Sequence, residues 1–88
     1  MSAQNKTLAE NAPASRAEAL FLTADFDGPR TPRSRAYKYG VMAGLRFRTG
    51  EGESPAADLP YPVGTASFDA YFAGVEEGFN IWKMRGIQ

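Results

Sequence analysis

Two blocks of charged side chains, opposite in sign, are the residues of this chain best suited to do chemistry. The first block, residues 30–48, contains basic side chains and no acidic one, with Tyr37 and Tyr39 among them. A basic segment with interleaved aromatic rings is suited to contact a phosphate backbone or an acidic protein surface. The candidate nucleic-acid-binding residues are Arg30, Arg33, Arg35, Lys38, Arg46 and Arg48.

The second block, residues 51–77, contains acidic side chains and no basic one, while the whole chain has a formal net charge of +0. Its members are Glu51, Glu53, Asp58, Asp69, Glu76 and Glu77. If the two blocks lie on adjacent elements, they partly neutralise each other and the basic block is not a binding face. If they do not, the acidic block suits a basic protein surface better than it suits nucleic acid.

Four residues are candidates for contact with a protein partner. They are Tyr61, Glu76, Glu77 and Trp82. The two glutamates carry the acidic charge of the last predicted helix, and tryptophan is common among residues that dominate binding energy. Because Trp82 also continues an apolar stripe, the pattern favours a core position for it.

The absence of Cys and His from the 88 residues removes most catalytic chemistry. Structural zinc sites, thiol or imidazole nucleophile pairs and Ser-His-Asp triads all need one of these side chains. The carboxylates of Asp58 and Asp69 could do acid–base work, but they fit a loop and a first helical turn better. The segment Gly50-Glu51-Gly52 lacks the Gly-Lys-Ser/Thr step of a phosphate-binding loop. We therefore expect a protein that is not an enzyme and has no cofactor, metal or small-molecule substrate.

The length fits one small domain. Residues 1–13 are polar and rich in alanine, which predicts a flexible N-terminal arm before a single helical domain over 14–88. The start of the chain has neither the basic nor the apolar region of a secretory signal. No apolar run approaches the roughly 18 residues that a membrane span needs. These features predict a cytoplasmic protein without a membrane contact.

Two helices are predicted in the first half of the chain. The Ser-x-x-Glu pattern at Ser15 predicts a short helix over about 15–24, although 19–26 is also compatible with a strand. Pro and Gly steps then predict a linker over 25–33. Ser34 can cap a second, amphipathic helix over about 35–48.

The third and longest predicted helix runs from a cap at Thr65 or Ser67 to about Met84, with Gly86 as its stop. Its apolar stripe comprises Phe68, Tyr71, Phe72, Val75, Phe79 and Trp82. The loop over 49–64 ends in Leu59-Pro60-Tyr61-Pro62, whose Leu and Tyr are expected to pack as a strap.

Each of the two longer predicted helices contains a pair of glycines one turn apart: Gly40-x-x-x-Gly44 in the second helix and Gly74-x-x-x-Gly78 in the third. Glycines one turn apart let two helices approach closely, at a cost of about 1 kcal/mol of helix propensity per Gly relative to Ala. The predicted fold is therefore all-α, a small antiparallel helical hairpin joined by the Pro-Tyr loop and preceded by a short helix.

Three motifs between Arg35 and Val75 are Ala36-Tyr37-x-x-Gly40-x-x-x-Gly44, Pro60-Tyr61 and Tyr71-x-x-Gly74-Val75. In these motifs the chain resembles the ribosome modulation factor family and its relatives among small bacterial and phage proteins. Members of that family read Gly-Tyr-x-x-Gly, then a Pro-Tyr linker, then Trp-x-x-Gly-Trp, so Tyr71 and Val75 depart from the pattern. The resemblance implies two helices joined by an ordered loop, and binding to the ribosome or its RNA.

We therefore expect a non-catalytic protein that binds RNA or a ribonucleoprotein such as the ribosome. The alternative is a small phage or mobile-element protein that binds a host protein complex and inhibits or adapts it. A third hypothesis is a structural subunit that self-assembles through exposed aromatic side chains of helix 65–84.

Overall fold

The computed structural model describes residues 15–24 and 33–86. In order, these residues form α1 (Arg16–Leu22), α2 (Arg35–Arg48), α3 (Ala66–Ile81) and a π-helical turn (Trp82–Gly86). The described residues contain no strand, so the all-α prediction is confirmed and the strand alternative for residues 19–24 is wrong. The predicted arm over 1–13 and nearly all of the linker lie outside the described residues.

The helix boundaries follow local sequence signals at the N-termini more closely than at the C-termini. The side chains of Ser15, Ser34 and Thr65 each accept a hydrogen bond of 3.1 Å from a backbone N–H three residues on. Such a cap stabilises a helix by about 1 kcal/mol. α1 ends two residues before the predicted boundary, and α3 ends at Ile81 because the chain then widens into the π-helical turn.

α2 and α3 pack backbone against backbone at the four glycines predicted to allow it. A Cβ atom at Gly44 would lie 2.7 Å from the Val75 carbonyl oxygen, and one at Gly78 would lie 2.5 Å from the Val41 carbonyl oxygen. Cβ atoms at Gly40 and Gly74 would be closer still to the facing helix. The close approach inferred from the glycine spacing is therefore confirmed.

The predicted antiparallel direction of the two helices is wrong. Gly40 faces the carbonyl of Tyr71 and Gly44 faces that of Val75, so residue numbers rise together along both helices. α2 and α3 therefore run parallel. α2 is about 21 Å long at 1.5 Å per residue, and a connection over 49–65 can span more than about 50 Å. The chain thus has enough length to return to the start of α2 before α3 begins.

The parallel packing brings together two copies of a short repeat. Ala36-Tyr37-x-x-Gly40-Val41-x-x-Gly44 recurs as Ala70-Tyr71-x-x-Gly74-Val75-x-x-Gly78. The contacts are reciprocal, since the Tyr71 carbonyl faces the first Gly of one copy and the Tyr37 carbonyl faces the first Gly of the other. Reciprocal contacts of this kind are those of a two-fold related pair. The repeat therefore extends beyond the glycine pairs and gives the helix pair an approximate two-fold symmetry.

The hydrophobic core lies between α1 and one side of this helix pair. Its buried members are Ala17, Leu20, Val41, Leu45 and Ile81. Around them pack the half-buried side chains of Phe21, Ala24, Tyr37, Met42 and Trp82. The predicted apolar stripe of the third helix divides: Tyr71 and Val75 are buried, whereas Phe68, Phe72 and Phe79 are only half-buried.

The turn after α3 ties α1 to the rest of the molecule at both ends. The Arg16 guanidinium donates a hydrogen bond to the Gly86 carbonyl and lies 4.8 Å from the centre of the Trp82 ring. Nη1 of Arg85 donates to the Thr23 carbonyl at 3.1 Å. Gly86 is needed here for space, because a Cβ atom would lie 2.8 Å from Cζ3 of Trp82.

The connection from α2 to α3 is anchored at Pro55 and Tyr61. The Tyr71 hydroxyl donates to the carbonyl of buried Pro55 at 3.0 Å. The Tyr61 ring packs 6.4 Å from Tyr39 and 6.1 Å from Tyr71, centre to centre. Leu59 is 41% exposed, so the prediction that it packs against the helices together with Tyr61 is wrong. The Tyr61 ring and the Tyr71 hydrogen bond hold this part of the loop against the helices.

Candidate functional site

A basic face runs along the exposed side of α2. Arg35, Tyr39 and Arg46 are exposed there, at spacings of four and seven residues that place them on one side of the helix. α3 contacts α2 at Gly40 and Gly44 and borders the face only near its start, where Arg35 and Ser67 line one recess. The Tyr39 ring packs on those of Tyr61 and Tyr71, but the residue is 53% exposed, so part of an aromatic side chain is accessible between the two arginines.

The two arginines of this face, Arg35 and Arg46, make no ion pair among the described residues. Arg46 borders a recess that Glu18 and Glu51 also line. No carboxylate of the described residues forms a salt bridge with Arg46. Lys38 lies beside the face and is half-exposed. Within the described residues, no direct ion pair with the acidic block therefore holds either arginine.

The remaining predicted nucleic-acid contacts lie near the two ends of α2. The Arg33 guanidinium stacks 4.7 Å from the centre of the Tyr37 ring, and that of Arg48 stacks 4.6 Å from the centre of the Phe79 ring. Stacking uses the flat face of a guanidinium and leaves the N–H groups in its plane able to donate to a phosphate. Arg30 lies outside the described residues.

The four residues predicted to contact a protein are not brought together. Tyr61 packs on Tyr39 and Tyr71, and Trp82 stacks with Arg16 at the opposite end of the molecule. Glu76 is exposed on the outer side of α3, whereas Glu77 is half-buried and interacts electrostatically with Tyr37. Burial raises the pKa of the Tyr37 hydroxyl, Glu77 raises it further, and Arg33 opposes both effects. Glu76 lies beside one open apolar surface, and Tyr61 lines a separate recess at the start of α2 and α3.

That apolar surface is a groove of about 570 Å³ that the sequence reasoning missed. Phe47, Phe72 and Phe79 form its aromatic walls, with Pro55 on the loop side and Glu76 at its edge. Phe72 and Phe79 belong to the apolar stripe, which predicts core positions for them. The signal that could have revealed the groove is the glycine pairing, because helices that touch backbone to backbone leave no room between them for bulky side chains.

Glu51 has a structural role. Its Oε2 accepts a hydrogen bond of 3.3 Å from the Ala17 backbone N–H, at the start of α1. The Ser15 hydroxyl lowers the pKa of this carboxyl most, and further hydrogen bonds from Thr49 and from the α1 backbone act in the same direction, against a smaller effect of burial. The carboxylate therefore links the loop after α2 to the N-terminus of α1.

The Tyr71 hydroxyl is held as a hydrogen-bond donor. Burial raises its pKa first, and Tyr39, Asp58 and Tyr61 raise it further. The direction of this shift favours the protonated hydroxyl, which is the form that donates to the Pro55 carbonyl. This side chain therefore positions the loop wall of the aromatic groove.

Residues 15–24 and 33–86 contain no group of three or more Asp, Glu, His or Cys side chains placed to hold a metal ion. None of their helices is long and apolar enough to cross a membrane. Comparisons of the chain with protein-family models, with curated proteins and with solved structures found no match.

Proposed function

We propose that this protein is a non-catalytic binder of RNA or of a ribonucleoprotein such as the ribosome, acting in the cytoplasm through the basic face of α2. One observation carries the proposal. Arg35 and Arg46 are exposed on the same side of α2, flank the accessible ring of Tyr39, and make no ion pair among the described residues.

The chemistry of the face matches that of a phosphate backbone. Eleven residues of helix separate Arg35 from Arg46, which is about 16 Å at 1.5 Å per residue, so the two can contact different phosphates. Such contacts position a protein on nucleic acid without reading its sequence. An accessible tyrosine between them offers a ring on which an unpaired base can stack.

The resemblance to the ribosome modulation factor family is the reason for naming the ribosome. The motifs that carry it lie at the helix contact and in the loop: Gly40 and Gly74 face the opposite helix, and Tyr61 packs against both Tyr39 and Tyr71. These contacts support the interpretation that the motifs shape two helices and an ordered loop. RNA or ribosome binding is the part of the resemblance that we carry forward as the proposal.

The test compares two variants with the same net charge. Arg35→Gln/Arg46→Gln removes two positive charges from the face, and the control Lys83→Glu makes the same change in net charge at an exposed residue of the π-helical turn. We expect the double variant to bind a labelled single-stranded RNA, and purified ribosomes, about tenfold more weakly. The control is expected to bind like the original chain.

Salt dependence distinguishes phosphate contact from a general charge effect. On single-stranded RNA, each lost phosphate contact lowers the slope of log affinity against log salt by about 0.7, so the double variant should lose about 1.4. Affinity that hardly changes between 50 and 200 mM salt, a range over which phosphate binding weakens steeply, would contradict the proposal. So would an equal loss of affinity in the Lys83→Glu control.

A second candidate is a small phage or mobile-element protein that binds, and thereby inhibits or adapts, a host protein complex. The exposed position of Glu76 beside the aromatic groove favours it. Affinity capture with the tagged chain, with and without nuclease, separates the two candidates. Ribosomal RNA that is lost after nuclease treatment supports RNA binding, and a nuclease-resistant complex that no longer forms with Glu76→Lys supports the second candidate.

A further inference from the structure

We propose that the aromatic groove lined by Phe47, Phe72 and Phe79 is a docking site for an amphipathic protein helix that carries Lys or Arg beside its apolar side chains. The groove lies away from the basic face, so this interaction is separate from RNA binding. Charge complementarity, the shape of the groove and the spacing of its walls carry the inference.

The walls of the groove present an accessible apolar surface. Phe47 is 40% exposed, and Phe72 and Phe79 are half-buried, so all three rings keep area that a partner can cover. The floor is Val75, and Pro55 closes the side toward the loop. Apolar surface of this kind contributes about 25 cal/mol per Å² when a partner removes it from water.

The length of the groove suits a helix. Phe72 and Phe79 are seven residues apart on α3, which is two turns or about 10 Å. A helix bound along them presents its own apolar residues at positions i, i+3 or i+4, and i+7, the pattern of helix-in-groove recognition.

Carboxylates lie on the groove and on the segments of chain that line it. Glu76 lines it, and Asp69 is exposed two turns earlier on α3. The loop residues Ser54 to Ala56 form one wall of the groove. Glu53 precedes this segment in the sequence and Asp58 follows it, and both are exposed. Arg48, which stacks on the Phe79 ring, and Lys83, which is exposed one turn after Phe79, oppose them. The charge around the groove is therefore mainly negative.

This charge distinguishes between possible occupants. Phosphates of RNA would be repelled by the carboxylates, and so would a second copy of this chain that presented the same groove. A helix with Lys or Arg next to its apolar residues places opposite charges against Asp69 and Glu76. The surface therefore fits a basic amphipathic helix of another protein.

The probe for the test is a pair of synthetic helical peptides with identical leucine positions, one with lysine and one with glutamate at the remaining positions. Binding to the full 88-residue chain is measured by fluorescence anisotropy. We expect the lysine peptide to bind at least about tenfold more tightly than the glutamate peptide, because opposite charges attract and like charges repel at the rim.

Two variants assign the binding to the groove. Ala73→Gln places a longer side chain at an exposed position in the groove wall and should weaken binding of the lysine peptide about tenfold. Glu76→Gln removes one carboxylate and should weaken it about threefold. The control is Leu22→Lys, which changes the net charge by the same amount as Glu76→Gln at a residue of α1 that is 63% exposed.

Several results would overturn the inference. Equal affinity for both peptides, or full affinity in Ala73→Gln, would show that the groove does not select a basic helix. A loss in Leu22→Lys as large as that in Glu76→Gln would show a general charge effect. Self-association of the original chain that Ala73→Gln abolishes would assign the groove to a second copy. Arg35→Gln/Arg46→Gln should keep its peptide binding, so failure of RNA binding and failure of this inference are separately visible.

Discussion

The four glycines between α2 and α3 determine how closely the two helices approach. Each one faces a backbone carbonyl of the other helix at a distance that excludes a Cβ atom. Glycine costs about 1 kcal/mol of helix propensity relative to alanine, so these helices are intrinsically less stable than alanine versions would be. Backbone packing between them has to outweigh that loss, and single methyl groups should therefore have large effects.

The first prediction concerns Gly74→Ala. The new Cβ atom would meet the Tyr37 carbonyl, with its carbon 2.9 Å away, so the helices must separate. We expect the free energy of unfolding to fall by at least about 2 kcal/mol despite the gain in helix propensity. Urea denaturation followed by circular dichroism measures the change.

Asn80→Ala is the matched control on the same helix. Asn80 is exposed, so its replacement gains propensity without creating a clash and should leave stability unchanged or raise it by a few tenths of a kcal/mol. A Gly74→Ala variant as stable as Asn80→Ala would contradict the close packing of the two helices.

Among the elements, α1 depends most on contacts made by others. Its seven residues are too few for a helix that is stable by itself. Ala17 and Leu20 are buried in the core, Glu51 accepts a hydrogen bond at its N-terminus, and the π-helical turn contacts both of its ends. α1 should therefore respond to changes in the loop after α2.

The second prediction uses Glu51→Gln and pH. Because the folded state lowers the pKa of Glu51, it favours the carboxylate. The resulting stability is fully present above the unfolded pKa near 4.5 and is lost as the pH falls through the lower, folded value. We therefore expect Glu51→Gln to lower the urea midpoint at pH 7, with the difference from the original chain narrowing below pH 4.5.

Glu53→Gln provides the control, since Glu53 is exposed in the same loop. It should leave the urea midpoint at pH 7 unchanged. If Glu51→Gln and the original chain differed equally at pH 7 and at pH 3, the carboxylate would not be the group that holds α1.

The whole molecule is organised by the parallel direction of α2 and α3. Because both helices begin at the same end, Arg35 and Ser67 line one recess there, and Phe47 and Phe79 meet at the other end with their centres 6.4 Å apart. The basic face then runs along the exposed side of α2, and Glu76 is exposed on α3 beside the aromatic groove. This arrangement separates the two charged surfaces of an electrically neutral chain.

The third prediction tests that direction by distance measurement between spin labels. The chain has no Cys, so labels can be attached at two introduced cysteines without further changes. We expect the pair at positions 35 and 67 to be closer than the pair at 35 and 80 by more than about 10 Å, because thirteen residues of α3 separate the second sites. An antiparallel packing would reverse the order of the two distances.

The sequence by itself determined the features that depend on near neighbours in the chain. The caps at Ser15 and Ser34 and the limits of α2 follow from side chains within one turn of the backbone groups they bind. The glycine pairs predicted a close helix contact, because only the absence of a Cβ atom permits one. The lack of Cys and His likewise limited the chemistry without reference to the fold.

Only the tertiary structure decided the direction of that contact and the exposure of its surroundings. A connection as long as 49–65 allows either direction, so packing chose the one in which the two repeats meet. That choice left Phe72 and Phe79 beside an open groove instead of in the core. It also brought Glu51 to the start of α1. Local patterns predict which residues can pack closely, but the partner of each residue depends on how the whole chain closes.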